Sequence, residues 1–247
     1  SIKVLKELHF PHSIGLLYSS FTYFLGFKVN SGEYKLMGLA PYGDLKAKQT
    51  TDFINIIKSN LIDIKEDGSI WLDQNYFTYA TGLKMVNEPK WEKLFGLKKR
   101  DPESKLLQVH CNLGLAIQTV TEEIVIKMAK EAKRLTKSDY LCLSGGVALN
   151  CVANGKLQLE KIFKEIFIQP AAGDAGGALG AAYTGNYLFF NQNRRTNKEG
   201  DSMKGSYLGP EYNSSQIARL SNTFGAKYKK YNSFDELAKK TAKLISE

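Results

Sequence analysis

The sequence predicts an α/β fold, and three features carry that prediction. A short apolar strand, Tyr140 to Leu143, empties into Ser144-Gly145-Gly146 and then a helix. A second run of β-branched and aromatic residues at Ile166 meets another glycine-rich turn, which carries the carboxylate of Asp174 and continues to Ala182. Upstream, Leu113, Ala116, Ile117, Val120, Ile124, Met128, Ala132 and Leu135 recur at helical spacing from Asn112 to Leu135, with Glu123 and Lys127 paired on the outer face. Helix, strand, glycine turn, helix, strand, glycine turn and helix thus follow one another, which is the alternation of an α/β layer.

The elements can be justified in order. Ser13 to Phe27 is apolar almost all round, as in a helix buried between layers, and Gly26 is placed to break it. Lys28 to Gly43 mixes glycines, charges and Pro41 with neither helical nor strand period and reads as a loop, the kind of segment that often carries function. Asp67-Gly68 between LIDIKE and SIWLD is a hairpin signal, and Asn75 to Leu107 follows as an aromatic-rich connection with room for substrate contacts. After the α/β unit, composition changes at Phe190. The stretch from Asn191 to Gly205 has almost no apolar residue and reads as a linker between a first domain, 1–190, and the start of a second, 206–247. That second α/β unit is expected to hold a helix near Ser214 to Phe224, a strand at AKYKKY, and a helix opened by the capping box Ser233 to Glu236.

The two glycine turns are where the chemistry concentrates. Gly145 and Gly146 have no Cβ, so a ligand can approach the backbone, and the helix that follows offers unpaired N–H groups and a positive dipole end. The same pattern serves as a plain strand-to-helix connection. Asp174 reads either as a helix N-cap or as a metal ligand, and small residues on both sides of it leave space for a ligand. Gly176, Gly177 and Gly180 are expected to let the next helix pack closely on a neighbour.

Composition narrows the remaining classes. The chain has 247 residues and a net charge of +9, but its lysines are dispersed among acids. The sharpest basic cluster, Lys98-Lys99-Arg100, is followed at once by Asp101 and Glu103 without interleaved aromatics. Nucleic acid is therefore not an expected partner, although the cluster leaves room for a local anion site. No run is long enough to span a membrane, the start lacks a secretory pattern, and Ser1 suggests a processed terminus, so a cytoplasmic location is expected. Cys111, Cys142 and Cys151 lack CxxC spacing, and two of them lie in or beside the strand-helix unit, which suits buried free thiols. His9 and His12 flank Phe10-Pro11, which argues against a shared ligand-bearing helix, and His110 reads as a packed or capping residue.

Four blocks carry a family resemblance: PHSIGLLYSSFTYFLGFKVNSGEYKLMGLAPYG at Pro11 to Gly43, LFGLKKRDPESKL at Leu94 to Leu106, LSGGVALNCVANGKL at Leu143 to Leu157, and QPAAGDAGGALGAA at Gln169 to Ala182. In these the chain resembles the NodU/CmcH-type O-carbamoyltransferases. The resemblance implies an actin-like, sugar-kinase-like (ribonuclease-H-type) core, followed by the truncated start of a YrdC-like domain that makes carbamoyl adenylate from ATP and carbamoyl phosphate. It implies transfer of the carbamoyl group to a small-molecule hydroxyl acceptor, which is a sugar, an aminoglycoside, an antibiotic core or a glycolipid.

By the same resemblance, Gly15, Gly145, Gly146 and Asn150 would hold the adenylate and Asp174 would ligate an iron-type divalent metal, in an enzyme that allows a homo-oligomer. Ser19 stands where related tRNA-modifying enzymes carry an acidic ribose contact and is left out of the site. The family's paired metal histidines and its FGPRALG-type signature do not occur in the sequence, so the chain is expected to be inactive by itself. An actin-like kinase or ATPase, and a nucleotide-binding interaction module, are the competing readings.

Overall fold

The computed structural model describes residues 3–194, 201 and 203–247. Ser1, with the reading of it as a processed start, and part of the expected linker at 191–205 lie outside the described residues. The chain divides into two compact units, Ser1–Asn193 and Arg194–Glu247.

The first unit is built on helices. α1 spans Ile14–Phe24, capped by Ser13 Oγ, which accepts from Leu16 N at 3.3 Å. It ends as the sequence predicts. Gly26 takes a left-handed conformation (φ 74°), Gly26 N bonds Tyr23 O, and Phe27 N bonds Thr22 O, closing a Schellman motif.

The expected loop at Lys28 to Gly43 is largely helical: α2 covers Glu33–Leu39 and a 3-10 turn covers Ala40–Tyr42. Two short turns of helix are too brief to show a period. What fixes them is burial of Leu36 and Leu39, which lie beside Gly114 of the long helix α5, Gln108–Thr136. α3, Lys48–Ile56, leads through a wide turn into the antiparallel pair β1, Ile62–Ile64, and β2, Ile70–Leu72. Their register is Ile62↔Leu72, Asp63↔Trp71 and Ile64↔Ile70, about the Asp67-Gly68 turn.

The aromatic connection from Asn75 to Leu107 sends Phe77, Val86, Trp91 and Phe95 into the core, while 80–84 and 101–107 are exposed. It contains α4, Glu88–Phe95, whose Trp91 is completely buried among Phe21, Phe24, Phe77 and Phe95 at centroid distances of 4.7–5.8 Å. Its indole N–H donates to Tyr76 O at 2.9 Å. Arg100, in the basic cluster, also turns inward. It is 6% exposed, donates from Nε to Leu25 O and from Nη1 to Ser104 O, and stacks over Phe27, while Lys99 sits over the Tyr23 ring. Arg100 is thereby used in holding the chain past α1 and is not free to form the surface anion site considered from sequence.

α5 buries Leu113, Ala116, Ile117, Val120 and Ile124 in this main cluster, and its C-terminal part joins a second, smaller cluster of Ala129, Leu157 and Phe163. The small cluster supports the α/β unit. β3, Tyr140–Leu143, pairs in parallel with β4, Glu165–Ile168, with Tyr140 opposite Glu165 and Leu143 opposite Ile168. Leu141, Leu143 and Ile166 face the cluster, and Tyr140 and Phe167 stand exposed on the other face. Cys142 shares that open face and Cys151 is exposed as well, so the buried thiols expected there are not found, and of the three only Cys111 is buried.

α6 spans Cys151–Leu159 and α7 spans Ala175–Thr184. α7 has no buried residue, and a Cβ on Gly177 or Gly180 would meet nothing, so the close helix packing expected of these glycines is not made. Gly176 is different: a Cβ there would lie 2.1 Å from Ala171 O, so the turn needs its absence.

An ionic strap ties the N-terminal segment down. Lys6 reaches Asp67 and Glu131, both at 2.6 Å, and Glu131 also takes Arg134, while Asp139 takes Lys133 and Lys164. Arg134 and Lys6 hold the Glu131 carboxyl down to about 2, and Lys133 and Lys164 do the same for Asp139. Both folded values lie below ordinary carboxylate values. The stabilisation is therefore complete above the ordinary carboxylate range and is lost as pH falls through about 2. Acid unfolding followed by circular dichroism is expected to steepen across that window, and added salt should flatten the effect because the cationic partners are largely in water.

The second unit holds α8, Ser214–Thr223, with Asn213 and Gln216 forming a reciprocal cap, and α9, Phe234–Ser246, capped by Ser233 Oγ accepting from Glu236 N. The AKYKKY segment is not a strand: among the described residues it has no ladder partner, and β structure exists only by pairing.

Candidate ligand site at the glycine turns

Three turns meet at one place, and two of them begin where β3 and β4 end. After β3, Gly145 takes φ 97° and ψ 164°, a conformation open in practice only to glycine. A 3-10 turn, Gly146–Leu149, then intervenes before α6, so the helix does not open directly on the glycine pair as the sequence suggests. Gly145 N donates to Ala172 O at 2.8 Å, which joins this turn to the one after β4. A Cβ placed on Gly173 would lie 3.6 Å from Leu149. On the opposite side, a Cβ on Gly15 would lie 3.6 Å from Val147, so the first turn of α1 borders the same turn.

Gly15, Gly145 and Gly146 are therefore gathered with the Gly173-Asp174 turn. Gly145 and Gly146 are exposed. The N–H groups of Gly146 and Val147 open the 3-10 turn and have no acceptor within it. Added methyls at Gly15 and Gly146 would meet only ordinary contacts or open space, so the protein's own packing does not require glycine at either position.

Asp174 lies at the N-cap position of α7, exposed, without accepting a cap hydrogen bond. Among the described residues, no three His, Cys, Asp or Glu side chains are grouped to hold an ion, at Asp174 or elsewhere. His12 is engaged elsewhere, since its Nδ1 accepts from Leu72 N at 3.0 Å and its ring stacks on Trp71. His110 Nδ1 accepts from Leu107 N at the start of α5, and burial, with Arg100 nearby, lowers its pKa. For His110 this is the capping role the sequence favours.

Asn150 faces inward, 9% exposed, and links the turn to residues that sequence reasoning missed. Its Oδ1 accepts from Ala153 N, capping α6, and from Gln118 Nε2 at 3.1 Å, and its Nδ2 donates to Gln118 Oε1 at 3.0 Å. Gln118 also accepts from Tyr18 and donates to Glu122, and Glu122 pairs with Lys156. Glu122 is 4% exposed. Burial, followed by the neighbouring Glu122 and Glu33, raises the pKa of Tyr18 and keeps the phenol a donor. Gln118 and Glu122 are four apart, spacing that on a helix reads equally well as a solvated face.

The sequence matches the family described as carbamoyltransferase N-terminus over residues 2–183, the span that contains all three turns. The chain belongs to the NodU-like O-carbamoyltransferase family. It is 53% identical over 85% of its length to the Synechocystis protein sll1178, described as uncharacterized. It is 29% identical over its whole length to nodulation protein NolNO of Sinorhizobium fredii, and 33% identical over 72% of its length to nodulation protein NolO of Bradyrhizobium diazoefficiens. The chain covers 33%, 33% and 30% of these three relatives, so it spans about a third of the length of each of them. Among the described residues no helix is long and apolar enough to cross a membrane.

Proposed function

We propose that this chain is the part of an O-carbamoyltransferase that receives carbamoyl adenylate and passes its carbamoyl group to a small-molecule hydroxyl. Membership of the carbamoyltransferase family across the three converging turns is the observation that carries the reading. The parallel β3–β4 pair, with a glycine turn after each strand, supports an actin-like core. Residues 206–247 are assigned to the start of a YrdC-like domain, which forms the adenylate from ATP and carbamoyl phosphate. The whole enzyme acts in the cytoplasm, and residues 1–247 alone do not turn over.

In the transfer step the acceptor oxygen bonds to the carbamoyl carbon, the bond from that carbon to the phosphate oxygen breaks, AMP leaves and the hydroxyl proton is released. The mixed anhydride is already activated. What remains for the protein is to orient the hydroxyl and meet developing negative charge with fixed donors, and the N–H groups of Gly146 and Val147 can do this. Gly15 and Gly145 keep the backbone close to the ligand. Asp174 alone does not make a metal site, and no step here runs through a metal. The iron-type ion that the family resemblance implies would take its other ligands from outside the described residues.

The test is the nucleotide product of the full-length protein given ATP and a divalent metal, with and without carbamoyl phosphate. AMP and pyrophosphate are expected only when carbamoyl phosphate is present. ADP instead would make the protein an actin-like kinase or ATPase, and unchanged ATP would make it a nucleotide-binding module.

A further inference from the structure

The buried polar chain beneath the glycine turn has a fixed direction, set by a group of one-way chemistry at each end. At one end the Glu122 carboxylate, paired with Lys156, can only accept, so the neighbouring edge of Gln118 at 2.9 Å must be its NH2. Gln118 Oε1 therefore faces the Tyr18 hydroxyl at 2.9 Å and Asn150 Nδ2 at 3.0 Å. At the other end the Ala153 N–H can only donate, so Asn150 must turn its Oδ1 that way, at 3.0 Å. Both amide orientations, which are usually matters of inference, are thus determined by their surroundings. Gln118 has all four hydrogen-bonding positions filled. Asn150 has one N–H left without a partner among the described residues.

We infer that Gln118, backed by Glu122, is a positioning residue that holds Asn150 so that its side chain can offer a ligand at the glycine turns only an N–H donor. The complementary ligand atom is an acceptor oxygen, of a phosphoryl or carbonyl group. The inference rests on the adenylate reading above and adds to it the sense of one contact and the residues that enforce it. A carboxylate at position 150 would reverse that sense, and losing the Gln118 amide would free Asn150 to rotate.

The experiment is calorimetric titration of the full-length protein with AMP, across a double-mutant cycle. Gln118→Met and Asn150→Ala are each expected to weaken AMP binding about fivefold to tenfold, the worth of one directed hydrogen bond. The double variant is expected to bind no more weakly than Asn150→Ala alone, because Gln118 acts through Asn150. Glu122→Gln preserves volume while letting Gln118 turn over, and it should weaken AMP binding with little loss of thermal midpoint. It answers the question if Gln118→Met fails to fold. Losses that simply add, or wild-type affinity in Gln118→Met or Glu122→Gln, overturn the positioning role alone. Wild-type protein that binds no AMP overturns the adenylate reading and this inference with it.

Discussion

Trp91→Ala is expected to destabilise the first unit by about 3–5 kcal/mol, the range for removing a fully buried large aromatic. Trp91 touches four other rings and is the centre of the cluster that joins α1, α4 and the Phe77 segment. Its removal also leaves Tyr76 O without the indole N–H. Trp91→Phe keeps most of the contact area and loses the hydrogen bond, so its cost should be roughly 1–2 kcal/mol. Urea unfolding followed by far-ultraviolet circular dichroism measures both. A wild-type midpoint for the alanine variant would mean that the aromatic cluster does not hold this unit together.

Gly145→Val is expected to have the largest functional effect. The backbone at φ 97° and ψ 164° lies in a region that a β-branched residue enters only with strain of about 1–3 kcal/mol. To relieve it the turn must move, and with it the N–H groups of Gly146 and Val147 and the bond from Gly145 N to Ala172 O that joins the two turns. Loss of prearranged donors typically costs about 10²–10³ in turnover. A fall of that size in carbamoylation by the full-length protein is therefore expected, with the thermal midpoint lowered by a few degrees. Gly155→Ala is the control for a glycine lost without backbone strain, since on α6 it adds a methyl into open space at an ordinary dihedral. Equal activity in Gly145→Val and wild type would remove the turn from the site.

Much of this was legible in the residues themselves. The long helix, the hairpin at Asp67-Gly68 and the strand-turn-helix repeat all follow from period and from glycine placement, because one buried face or one left-handed residue dictates them locally. The α2 segment was not legible, because two turns of helix owe their existence to Leu36 and Leu39 finding the groove at Gly114, a long-range event. AKYKKY failed for the complementary reason: its alternation is a strand pattern, but a pattern without a partner makes no ladder. At the site, the glycines announced themselves and their convergence did not. Gln118 and Glu122 stayed hidden because buried polar residues on a helix have the same spacing as exposed ones. The resemblance implies a ligand contact for Asn150, but the inward engagement of its amide depends on Gln118, 32 residues away, and has no local signal.

The 29-residue α5 passes through both hydrophobic clusters and carries Gln118 and Glu122 among its residues of the larger one. The smaller cluster has only three buried residues and could not stay folded by itself. A continuous helix rooted in the larger cluster lends it cooperativity, so the floor under the glycine turns opens only when the helix itself unwinds. The amide protons of that floor are thus expected to exchange as slowly as those of the larger cluster, and the turns above it are shaped by the protein's own packing.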